Sequence, residues 1–85
     1  MGYNMPERKL IIHVASQSQE TVTLQVFPTV KMRVIHEKVC LRLNLDPKAT
    51  RMLYNDRNVN LNKTPEELEV EGGDTFDLVQ DQAGG

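Results

Sequence analysis

The chain ends Gln80-Asp81-Gln82-Ala83-Gly84-Gly85, and its clearest chemistry lies there. Glycine has no Cβ, so two in succession can enter a channel too narrow for any other residue and adopt backbone angles closed to the rest. Ordering a stretch with nothing to bury costs conformational entropy, so one reading is a mobile arm with a reachable Gly85 carboxylate. A frayed terminus or an expression remnant fits the same residues equally well. The remaining reactive side chains offer less. Cys40 stands alone, which excludes an intrachain disulfide and a cysteine-rich metal site; without a base to activate it, it reads as a small buried hydrophobe. His13 and His36 are too few and too far apart for a metal site, and both read as surface residues. No nucleophile–base pair or phosphate-cradling loop is present, so no catalytic residue, metal or cofactor is expected and the chain does not read as an enzyme.

Charge adds one candidate surface. A net charge of −2 argues against general nucleic-acid binding, but the distribution is uneven. No Lys or Arg follows Lys63, whereas Glu66, Glu67, Glu69, Glu71, Asp74, Asp77 and Asp81 do. Such a block is either a solvated face or an acidic docking surface beside the tail. No apolar run approaches the roughly 20 residues of a membrane span, and no signal-peptide core is visible. Asn62-Lys63-Thr64 therefore reads as a turn rather than a glycosylation site, and the expected setting is the cytosol or nucleus.

These groups need a scaffold, and 85 residues supply one domain near the lower limit for an independent core. Residues 1–7 have no periodicity and read as a disordered lead-in to a domain at 8–79, with a flexible tail at 80–85. From Arg8 to Ala15, Leu10, Ile12 and Val14 alternate with Lys9, Ile11 and His13; from Thr21 to Phe27 the alternation resumes through Val22, Leu24 and Val26. Two such runs joined by five polar residues make an antiparallel hairpin. Pro28 ends it, and Thr29 is a candidate N-cap for a helix from Val30 to Leu43. Met32, Ile35, Val39 and Leu43 form that helix's buried stripe, and Asn44 suits its left-handed cap. Asp46-Pro47 opens a loop, followed by a strand over Thr50–Tyr54, a tight turn at Asn55-Asp56 and a short strand or extended segment through Val59 and Leu61. Thr64, Pro65 and Glu67 carry the start signals of one helical turn. Gly72-Gly73-Asp74 then leads into a last strand over Thr75–Val79, with Phe76 and Leu78 inward. A hairpin, one amphipathic helix and further strands bury their apolar faces only if the helix crosses one face of the sheet. That is an α+β, β-grasp architecture with a mixed four- to five-stranded sheet.

At this point a resemblance enters. The ending Gln80-Asp81-Gln82-Ala83-Gly84-Gly85 is similar to the Gln-Glu-Gln-Thr-Gly-Gly ending of the SUMO family of ubiquitin-like modifiers. Thr64-Pro65-Glu66-Glu67-Leu68 resembles its Thr-Pro-x-x-Leu turn, and Cys40, Arg42, Arg51, Leu53 and Asp74 fall at matching places. The two patterns lie together without a gap from about Leu10 to Gly85. The resemblance implies a protein modifier: the Gly85 carboxylate is adenylated with ATP by an activating enzyme, passes as a thioester to a conjugating enzyme, and is joined to target lysines. A deconjugating cysteine protease reverses the bond. It also implies a monomer acting in nucleus and cytoplasm, contacting neither nucleic acid nor membrane directly.

Two noncovalent surfaces carry over with it. A groove beside the second strand, lined by Val22, Leu24, Val26, Ile35, Lys38, Val39 and Arg42, would receive SUMO-interacting peptides as an added strand. Asp74 and the acidic run would meet the conjugating enzyme. The family's groove lysines are replaced here by Gln25, Phe27 and Val34, which implies a more hydrophobic preference and weaker dependence on acidic flanks. Phe27 either faces outward into this site or fills the core at the strand end. No lysine lies in a forward acceptor motif, and the inverted match Glu7-Arg8-Lys9-Leu10 is short enough to arise by chance. Two alternatives remain: a non-conjugated SUMO-like interaction module with the same groove, and a sulfur-carrier β-grasp protein. The latter shares the tail but lacks the Gln-x-Gln lead and the Thr-Pro turn.

Overall fold

The computed structural model describes residues 8–17 and 20–81. The expected lead-in and residues 82–85 of the expected tail lie outside them. Alternation of apolar and polar residues produces strands β1 (Leu10–Ser16) and β2 (Val22–Val26), paired antiparallel so that Ile12 opposes Leu24 and Val14 opposes Val22. Helix α1 (Met32–Leu43) follows, then a 3₁₀ turn at Pro47–Ala49, in place of the expected open loop. The Asp46 carboxylate accepts the Lys48 N–H at 2.9 Å and so starts that turn. Strands β3 (Thr50–Tyr54), β4 (Arg57–Asn58) and β5 (Thr75–Gln80) complete a sheet of order β2-β1-β5-β3-β4. The central β1–β5 pair is parallel and the others antiparallel. Val59 and Leu61 are not in a strand; β4 is two residues long and ends before them.

The core sits between α1 and one sheet face. Ile12 and Val14 from β1, Phe76 and Leu78 from β5, and Met52 from β3 meet Met32, Ile35, Val39 and Leu43 of the helix. Each fully buried apolar side chain of this size contributes about 1.5–3 kcal/mol, which makes this contact the main source of stability. Phe76 stacks on Tyr54 with ring centroids 4.7 Å apart. Cys40 is buried as expected, and burial pushes its thiol pKa up.

Both ends of α1 show what caps a helix here. Asn44 takes the left-handed conformation (φ 63°, ψ 38°), and the Leu45 N–H returns to the Cys40 carbonyl at 2.8 Å. The start differs from expectation: the helix begins at Met32 after an extended Lys31, so Thr29 is not its N-cap. The segment 61–63 does that work instead, its Lys63 and Leu61 carbonyls accepting the Met32 and Arg33 N–H groups at 2.8 and 2.9 Å. Asn62 Oδ1 accepts from Arg33 Nη2 at 2.8 Å, so the potential sequon is built into this cap. The turn between β3 and β4 has Asn55 and Asp56 both at positive φ (54° and 64°), the geometry that matches strand twist in a two-residue hairpin.

His36 is the clearest correction. It was expected at the surface and is only 1% exposed. It lies one helical turn from both Met32 and Cys40, which places it on the inner side of α1. Its Nε2–H donates to the Pro47 carbonyl at 3.0 Å, and Nδ1 is buried without a partner.

The Thr64 turn keeps the reciprocal bonds of a capping box. Thr64 Oγ1 accepts the Glu67 N–H at 3.1 Å, and Glu67 Oε1 accepts the Thr64 N–H at 2.9 Å. The second bond lowers the Glu67 carboxyl pKa. Replacing Thr64 by Ala removes one of the two bonds and is expected to cost about 1 kcal/mol. In a domain of this size that lowers Tm by about 4–8 °C. An unchanged calorimetric Tm would show that the turn does not depend on its cap.

Candidate functional site

The groove residues come from two elements that the Phe27–Val30 turn folds against each other, closed by a Val30 N–H to Phe27 carbonyl bond of 3.2 Å. β2 is an edge strand, so its outer backbone groups have no strand partner among the described residues and present a row of donors and acceptors. Beside it lies a cleft of about 440 Å³, walled by residues 23–27 on one side and by Val30, Val34, Ile35 and Lys38 on the other. Leu24, Val26, Ile35 and Lys38 are thus brought together as named from the sequence. Val22 and Val39 are core residues, 4% and 0% exposed, and do not line the cleft; Arg42 is exposed but lies outside it. Val22 shares a strand face with Leu24 and Val26 but lies at the start of β2, beyond the end of the cleft; Val39 packs into the core against the sheet, while Arg42 is a further turn along the helix.

Three cleft residues were missed from sequence. Val30 and Thr23 belong to the ends of the two walls, and Lys9 reaches the cleft from the start of β1. The Lys9 ammonium sits 4.9 Å from the centroid of the Phe27 ring. Phe27 faces outward, 46% exposed, which decides between the two orientations considered for it. Val34 is 41% exposed on the opposite wall. Only the pairing of Lys9 with the end of β2, one step beyond the Leu10–Val26 pair, could have signalled the Lys9 contact.

Asp74 is half-buried and already engaged. Its Oδ2 accepts the Tyr54 hydroxyl, and the same oxygen accepts the Glu71 N–H at 2.9 Å, closing the Glu71–Asp74 turn. The Tyr54 phenol is pushed up to about 12, first because that bond holds its proton and then by burial and the Asp74 charge. The Asp74 carboxyl is lowered by the Tyr54 hydroxyl and then by the Glu71 amide. A lowered carboxyl contributes stability above its unfolded pKa of about 3.9 and loses it as pH falls through the folded value. A raised phenol contributes below about 10 and loses its contribution as pH rises to 12. Tyr54→Phe keeps the stack on Phe76 and loses the hydroxyl, so a cost of about 1 kcal/mol at pH 7 is expected. The gap between wild type and variant should close between pH 10 and 12, read by urea unfolding at each pH. A constant gap would exclude the Tyr54–Asp74 bond as its cause.

The root of the tail is tied down further along than expected. Gln80 belongs to β5 opposite Thr50, and the Asp81 N–H bonds the Ala49 carbonyl at 2.7 Å. Asp81 also pairs with Arg51 at 2.7 Å. Sheet pairing therefore claims Gln80, and the bonds to Ala49 and Arg51 hold Asp81, two residues that the sequence assigns to the arm. Gly84 and Gly85 lie outside the described residues.

Nothing here assembles a catalytic centre among the described residues. The Cys40 sulfur is 3.9 Å from His36 Nε2, whose proton is committed to Pro47, so the imidazole does not serve the thiol as a base.

A mixed sheet with a parallel central pair and one helix across a single face defines a ubiquitin-like, β-grasp protein. Solved structures agree. A Caldiarchaeum subterraneum ubiquitin superposes with a TM-score of 0.82 at 29% identity, covering 91% of this chain and 99% of that one. A designed protein based on ubiquitin gives 0.78 at 26% identity, covering 89% and 93%. Within this class, residues 10–80 match the family described as "Ubiquitin-2 like Rad60 SUMO-like", and the chain belongs to that SUMO-like family. Small ubiquitin-related modifier 2 of Arabidopsis thaliana is 27% identical over 74 residues, which are 87% of this chain and 72% of the relative.

Proposed function

We propose that this protein is a SUMO-like modifier, conjugated through the Gly85 carboxylate to lysines of target proteins. The observation that carries the reading is the junction at Asp81. β5, anchored by Phe76 and Leu78, and the Asp81 bonds to Ala49 and Arg51 carry the described fold to within four residues of Gly85 in the sequence. The folded head supplies binding energy remote from the reacting carboxylate, which lets an activating enzyme position that group without side-chain chemistry from the modifier. The protein is then a substrate of activating enzyme, conjugating enzyme and deconjugating cysteine protease, and not itself an enzyme. It acts as a monomer in the nucleus and cytoplasm. The open edge of β2 and the apolar cleft beside it support a second role, reading of the conjugate by proteins whose peptides add as an extra strand.

For Asp74 the proposed conjugating-enzyme contact falls on a carboxylate whose Oδ2 is already used twice, so its contribution is partly to hold the acidic turn in shape. The test is a charging assay with SUMO-activating enzyme, conjugating enzyme and ATP. A reductant-sensitive thioester is expected. A folded chain that binds peptide in the cleft but never charges would leave a noncovalent interaction module instead.

A further inference from the structure

The two ends of the cleft differ chemically, and the difference specifies its ligand beyond the family resemblance. At one end Phe27 and Val30 are joined by their turn, and Phe27 with Val34 leaves apolar surface open on both walls. Lys9 belongs to this end, but its ammonium is spent on the Phe27 ring. An exposed cation–π contact is worth about 0.5–1 kcal/mol, and an exposed ion pair about 0–1 kcal/mol. Moving Lys9 from the ring to a ligand carboxylate therefore gains nothing. At the other end Lys38 lies six residues into α1, about 9 Å along its axis. Lys38 is exposed and has no acidic partner among the described residues, and no Asp or Glu lines the cleft. Arg42 follows one turn later and adds positive potential at that end.

We infer that the cleft takes an extended peptide with an aromatic side chain at one end, against Phe27, and a carboxylate at the opposite end, beside Lys38. This rests on the peptide-groove reading above. With Gln25, Phe27 and Val34 uncharged along the cleft, it confines the acid preference to a single carboxylate at a single end. Residues 23–27 span about 13 Å, so the aromatic and the acid are separated by about three apolar residues. An aromatic pair adds about 0.5–1.5 kcal/mol beyond the area it covers, so the Phe27 end dominates the affinity and the Lys38 end sets the direction.

Composition-matched peptides test this. The first reads Phe-Val-Val-Val-Asp, the second Val-Val-Val-Phe-Asp, and a third replaces Asp by Asn in the first; all carry neutral, blocked ends. Titration followed by amide chemical shifts on the full chain is expected to give the first peptide about tenfold tighter binding than the second. The third should fall about threefold below the first. Lys38→Ala should erase the Asp–Asn difference and leave the aromatic preference. Phe27→Ala should do the reverse, and Lys9→Gln should leave the Asp–Asn difference unchanged. Both ends are solvent-exposed, so these variants keep the fold, checked by their amide spectra. Equal affinity of the first two peptides, or an acid preference that survives Lys38→Ala and disappears in Lys9→Gln, overturns the assignment of ends. Absence of shifts at β2 and α1 with every peptide overturns the groove reading itself along with it.

Discussion

A chain ending at Ala83 is expected to form no thioester with activating or conjugating enzyme, while keeping the stability of the full chain. The separation follows from where the last tertiary contacts fall. The Asp81–Ala49 backbone bond and the Arg51–Asp81 ion pair, both 2.7 Å, remain in the shortened chain, as does the whole of β5. Tm should therefore stay within about 4 °C, because surface changes away from such contacts move stability by under about 0.5 kcal/mol. The activating step, by contrast, loses the residues whose missing Cβ lets a carboxylate enter a narrow channel. A single Gly85→Ala change should give an intermediate result, reduced charging with an unchanged fold. Gel analysis with and without reductant reads the outcome directly. A truncated chain that still charges, or one that charges less only because it has unfolded, would remove the diglycine from the mechanism.

The second large effect is on folding. Phe76→Ala should lower stability by about 3–5 kcal/mol. Phe76 is fully buried near the start of β5, the strand that joins the hairpin to β3, and the change removes both its core contacts and its stack on Tyr54. Domains carry roughly 0.05–0.15 kcal/mol per residue, so a loss of this size leaves an 85-residue protein at the edge of unfolding at 37 °C. Ile11→Ala is the matched control, because Ile11 is 46% exposed on the open face of the sheet. It should cost under about 1 kcal/mol. Urea midpoints distinguish the two, and a Phe76→Ala cost near that of Ile11→Ala would mean that the core lies elsewhere.

How much of this was legible depends on the range of the interaction involved. The hairpin, the Met32–Ile35–Val39–Leu43 stripe, the Asn44 cap, the Asn55-Asp56 turn and the Thr64–Glu67 box are set by residues two to four positions apart. Their spacing is written in the chain itself. His36 could have been read as buried from its place one turn from Met32 and from Cys40, but a polar side chain on an apolar face needs a distant acceptor. That acceptor, the Pro47 carbonyl, is supplied only by the folded turn after the helix.

The sequence by itself determined the strand and helix periodicity, the turn chemistry, the acidic C-terminal half and the diglycine, because each follows from side-chain type and local order. Only tertiary structure decided that segment 61–63 caps α1, that Tyr54 holds Asp74, that Lys9 reaches Phe27, and that Val22 and Val39 leave the groove for the core. Those outcomes depend on which elements become neighbours. Strand pairing and burial choose among partners far apart in the chain, and no local pattern records that choice.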